Sequence, residues 1–98
     1  MTDENARLKR LKMRSWRRGF READLILGPF ADKYASGFSD ADYVWFEALL
    51  DENDHDIYGW ILERMSPPPE FDGPLMNKLR IFRDEAHKAI GNRGTANG

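Results

Sequence analysis

A single valine, Val44, stands in this chain of 98 residues, and nowhere does an alternating run of Val, Ile or Thr occur. A half-buried strand needs such alternation, with a period of two. The apolar residues recur instead at spacings of three and four, which is the pattern of a helix with one face turned inward. The chain is therefore expected to be all-α, a small bundle of about five short helices with brief connections. Its length allows one domain, 1-98, with a modest core that needs no staples. Cysteine is absent, which excludes a disulfide scaffold, a thiolate zinc site and a cysteine nucleophile.

Breakers and caps divide the chain. Leu8, Leu11, Ser15 and Trp16 form one stripe of a helix from about Asn5 to Arg17, which Gly19 interrupts. Phe20, Ala23, Leu27, Phe30, Ala31 and Tyr34 mark a second helix from Phe20 to Tyr34, with Gly28-Pro29 expected to kink or divide it. After the connector Ser36 to Ser39, Ser39 reads as an N-cap with Asp40 and Asp42 in the first turn. That third helix presents Tyr43, Phe46, Leu49 and Leu50 and ends near Asp51. Asp54 is predicted to cap a fourth helix, with Ile57, Trp60, Ile61 and Leu62, ending near Met65. Ser66 to Glu70, with three successive prolines, is a stiff spacer. Gly73-Pro74 opens a fifth helix lined by Leu75, Leu79, Phe82 and Ala86, with Gly91 as its stop. Order is expected over about 6-90, with 1-5 and 92-98 flexible.

Charge is unevenly placed. Residues 7 to 21 hold eight Lys and Arg and no acid, whereas residues 39 to 72 hold ten acids and one base, Arg64. Such a dipole favours docking on a partner with complementary patches. The longest low-polarity run, Leu25 to Ala31, is seven residues, far short of the ~20 that span a membrane. Met1 to Asn5 has no apolar h-region and carries early acids, so the expected setting is cytoplasmic, or the chain is already processed.

Catalytic chemistry is hard to place. His55 and His87 have no metal-ligand spacing between them and read as surface residues. Asp51 to Asp56 resembles a calcium loop, but Asp56 stands where glycine is needed and Leu62 where glutamate is needed. Dinucleotide, P-loop and nucleophile-elbow motifs are absent. Arg7 to Arg21 could meet phosphate and Trp16 could stack on a base, although the acidic half of the chain would repel nucleic acid.

The segment Arg17-Arg18-Gly19-Phe20-Arg21-Glu22-Ala23-Asp24 admits two accounts. As an interhelical joint, Gly19 breaks the helix and Arg18 pairs with Glu22 at i,i+4. As a recognition patch, Gly19 lets a partner's backbone approach, while Arg18 offers a bidentate fork and Glu22 a nearby carboxylate.

This segment resembles the SdhE family of bacterial and mitochondrial succinate dehydrogenase assembly factors. The likeness rests on Arg18-Gly19-Phe20-Arg21-Glu22, extended by Asp24. It continues through Pro29-Phe30 and Tyr34, the Ser39-Asp40 helix start before Phe46 and Leu49-Leu50, and Asp54 followed by Tyr58 and Trp60-Ile61. It covers about residues 7 to 65; Gly28 stands where the family often has a larger residue, and Pro67 to Pro69 look like a local elaboration. The resemblance implies a five-helix bundle, monomeric when free, that binds the flavoprotein subunit of succinate dehydrogenase or fumarate reductase. It implies a helper, not an enzyme: FAD attachment is self-catalysed by the client, which holds the FAD, and no cofactor stays on the helper. The implied partner-binding residues are Arg17, Arg18, Gly19, Phe20, Arg21, Glu22, Asp24, Pro29 and Phe30, with no nucleic acid bound and no membrane insertion. The competing reading is an antitoxin-like or nucleic-acid-binding module that uses the basic N-terminal helix.

Overall fold

The computed structural model describes residues 2–97 along the backbone and residues 5–86 to their side chains. Five α-helices follow one another: α1 (Thr2–Trp16), α2 (Arg21–Tyr34), α3 (Asp40–Leu50), α4 (Asp54–Ile61) and α5 (Pro74–Asn97). Short 3₁₀ turns at Ala35–Gly37 and Pro69–Phe71 join α2 to α3 and lead into α5. No strand occurs among the described residues.

Helix α2 is the central element, with α1, α4 and α5 packed against it. Its inward residues, Ala23, Ile26, Leu27, Phe30 and Ala31, are all buried. Phe30 stacks parallel to Phe46 of α3 at 5.8 Å and meets Phe82 of α5 edge-on at 5.6 Å. Leu11, Leu49, Ile57, Ile61, Met76 and Leu79 complete the core from the other four helices. Each large side chain so buried contributes roughly 1.5–3 kcal/mol.

Of the kink or division expected at Gly28-Pro29, the division does not occur: α2 is one helix with Pro29 inside it. Interior proline costs about 3 kcal/mol, but buried side chains on both sides of it, Ile26 and Leu27 before and Phe30 and Ala31 after, anchor the helix in the core. Ser39 caps α3 as expected, accepting from the Asp42 amide while Asp42 accepts from the Ser39 amide in a reciprocal box.

Helix α4 differs from the sequence reading at both ends. Asn53, not Asp54, is its N-cap and accepts from the His55 amide at 2.9 Å. Its end comes at Ile61, before Met65, because Glu63 takes φ +61° and turns the chain away. The Arg64 amide then donates to the Gly59 carbonyl and the Glu63 amide to the Trp60 carbonyl, a two-bond terminus usually built around glycine. Pro69 also leaves the stiff spacer to open a 3₁₀ turn.

Helix α1 begins at Thr2, and α5 runs through Gly91 to Asn97 rather than stopping there. Glycine lowers helix propensity by about 1 kcal/mol without compelling an end. The side chains of residues 87–98, His87 among them, lie outside the described residues, as do those of residues 1–4.

Candidate partner-docking surface

The link between α1 and α2 is a fixed ridge. Gly19 takes φ +87°, a left-handed conformation that favours glycine, and a Cβ built there would meet nothing within 4 Å. The residue is thus a joint by its backbone, and its outer side is open to an approaching surface.

Three attachments hold the ridge down. The Arg18 amide donates to Asp24 Oδ1 at 3.2 Å. Arg18 Nε donates to Asp54 Oδ1 at 2.6 Å and Nη2 to the Glu52 carbonyl at 3.0 Å. Phe20 lies against His55 at 4.7 Å and Tyr58 at 5.3 Å, both in α4. This arrangement corrects the i,i+4 pairing of Arg18 with Glu22. The guanidinium, only 9% exposed, is turned to Asp54 across 36 positions of sequence. Arg18 is therefore the anchor of the ridge and not a free fork.

What remains outward is Arg17, Arg21 and Glu22, all exposed and without an ion-pair partner among the described residues. Leu25, 54% exposed, and half-buried Pro29 continue the outward face of α2 at the spacing of successive helical turns. Asp24 is half-buried and engaged with the Arg18 amide. Phe30 is fully buried in the core, so its implied place in the docking set is corrected: its spacing with Leu27 and Ala31 puts it on the inner face.

Trp16, expected on the core stripe of α1, is 40% exposed. Its indole covers Gly28, where any Cβ would overlap the ring, and Nε1 donates to Asp32 Oδ2 at 3.0 Å. The ring accounts for glycine at position 28.

Beneath the ridge lies a polar cleft of about 450 Å³, with Arg14, Arg17 and Arg18 facing Asp51, Glu52, Asn53 and Asp54. Arg14 pairs with Asp51 across it. Further along α1, Arg7 grips both oxygens of Glu47 at 2.8 and 2.9 Å and lies over the Tyr43 ring at 4.7 Å. The hydrogen bond from Arg7 holds the Glu47 carboxyl below its ordinary range, outweighing partial burial, and the same bond raises Arg7. Among the described residues, no group of three or more His, Cys, Asp or Glu is placed to hold a metal ion. No helix among them is long and apolar enough to cross a membrane.

These features define a class: a small helical module whose distinctive surface is a clamped, glycine-jointed ridge with charges facing outward. The chain belongs to the family described as flavinator of succinate dehydrogenase, whose model matches residues 9–83. It is 40% identical over 88 residues to "Succinate dehydrogenase assembly factor 2, mitochondrial" of Debaryomyces hansenii, covering 87% of this chain and 62% of that protein. With the protein of the same name from Drosophila virilis it shares 37% identity over 76 residues, 76% of this chain and 48% of the relative. The chain thus spans about half to three-fifths of the length of these relatives. No solved structure matches it.

Proposed function

We propose that this protein docks on the flavoprotein subunit of succinate dehydrogenase, or of fumarate reductase, and promotes covalent attachment of FAD to that subunit. The observation that carries the reading is the ridge: Gly19 open on its outer side, with Glu22 exposed beside it and free of any ion pair among the described residues. Membership of the flavinator family and the assembly-factor names of the relatives support it.

The protein acts as a helper, and the bond-forming chemistry and the FAD belong to the client. A rigid ridge suits that task, because a docking surface already held in shape loses little freedom on binding. Its contribution is to hold the client in the geometry that brings the accepting histidine to the flavin. The structure weakens the nucleic-acid reading in one respect: of the eight Lys and Arg in residues 7–21, Arg7, Arg14 and Arg18 are paired with the chain's own carboxylates.

The test is in-gel flavin fluorescence of the flavoprotein from cells with and without this chain. Strong covalent fluorescence only in its presence, together with co-purification of the two proteins, is the expected result. Equal fluorescence in both, or nucleic acid co-purifying instead of the flavoprotein, would overturn the reading.

A further inference from the structure

Helix α3 turns a second face to solvent, outside the core. Ala41, Val44 and Ala48 follow one another there at three and four residues, with Trp45 beside them. Val44 is 60% exposed, the most exposed of the large hydrophobic side chains described. Together with Phe71 these residues line an open groove of about 590 Å³.

The groove is preformed. Trp45 Nε1 donates to the Glu70 carbonyl at 3.0 Å, and its ring meets Phe71 edge-on at 5.9 Å. Phe71 in turn stacks on buried Trp60 at 5.5 Å. The proline run finds its role here, since the turn that Pro69 opens sets Glu70 and Phe71 against α3. Asp40, Glu52 and Glu70 rim the groove, and among the described residues no basic side chain lines it. Glu52 also lines the polar cleft beneath the ridge, so the two surfaces are continuous.

We propose that this groove receives an apolar side chain flanked by basic residues, presented by the same flavoprotein subunit that docks on the ridge. The proposal rests on the docking reading above and extends its footprint from Glu22, across Glu52, to Val44. The apolar floor selects an apolar anchor, and the acidic rim selects positive charge around it. Continuity with the ridge makes a single partner the economical occupant, because the orientation fixed by the first contact is already fixed for the second.

The test measures binding of the purified flavoprotein subunit to the full chain carrying Val44→Glu, Val44→Leu or Glu22→Ala, with melting temperature as the folding control. Val44→Glu is expected to melt like the parent, since the side chain is exposed, yet to bind roughly ten- to a hundred-fold more weakly. Val44→Leu should retain affinity. If Val44→Glu binds like the parent while Glu22→Ala fails, the groove proposal falls and the ridge reading stands. If Val44→Glu fails while Glu22→Ala binds, the groove is supported and the ridge reading falls. If both bind like the parent, both ideas fall. Loss of self-association in sedimentation, with flavoprotein affinity untouched, would give the groove to a second copy and overturn the proposal.

Discussion

Gly28 and Trp16 work as a unit: the indole occupies the space a Cβ would need, and its N–H ties the ring to Asp32. In an ordinary helix interior, glycine to alanine gains about 1 kcal/mol. Here overlap with a rigid ring costs typically 1–3 kcal/mol, so Gly28→Ala should lower stability overall. In a Trp16→Ala background the space is vacant, and the same change should raise stability. Urea unfolding of the four variants checks the sign reversal; the same effect of Gly28→Ala in both backgrounds would mean that ring and glycine do not communicate.

At the scale of elements, α1 is tied to α3 by the Arg7 grip on Glu47. Because the folded state lowers the Glu47 pKa, the contribution is complete above the ordinary glutamate value of about 4.3. It is lost as pH falls through the lowered value. Glu47→Gln should therefore be less stable than the parent at neutral pH, with the difference shrinking in acid. Unfolding midpoints measured from pH 7 down to 2 check this, and a constant difference across that range would contradict it.

What the sequence made legible at this scale was local. The box of Ser39 and Asp42 spans three residues, so α3 starts where it is read to start. The end of α4 was not legible, because the left-handed position falls to Glu63 and the glycine that usually marks it is absent. The pairing of Arg18 with Asp54 joins positions 36 apart, and no spacing rule reaches that far. Trp16 misled for a related reason. Helical spacing placed it on the inner stripe, but only the fold reveals that a glycine on α2 takes the ring at the surface.

At the scale of the whole molecule, three basic side chains of α1 and the ridge are neutralised by acids from the acidic segment, residues 39 to 72. Arg7, Arg14 and Arg18 bind Glu47, Asp51 and Asp54, so the charge asymmetry first serves to hold α1 and the ridge against α3 and α4. On the ridge itself, Arg17, Arg21 and Glu22 are left facing outward, without an ion pair among the described residues. Trp60 belongs to the fold instead: it is 6% exposed, stacks on Phe71, and its carbonyl accepts from Arg80 Nη2 at 3.0 Å. Trp60→Ala should cost about 3–5 kcal/mol. A near-parental melting temperature would show that the ring is not core.

Under the docking reading, Glu22 serves a partner and not the fold. An exposed glutamate with no ion pair among the described residues should tolerate truncation within about 0.5 kcal/mol of stability. At a buried, charge-paired interface the same truncation strands its partner and costs about 2–5 kcal/mol of binding. The direct measurement is the affinity of Glu22→Ala for the flavoprotein subunit, with its melting temperature recorded on the same sample. Near-parental melting with affinity reduced by that amount is the expected result. A variant that unfolds, or one that binds as tightly as the parent, would contradict the account.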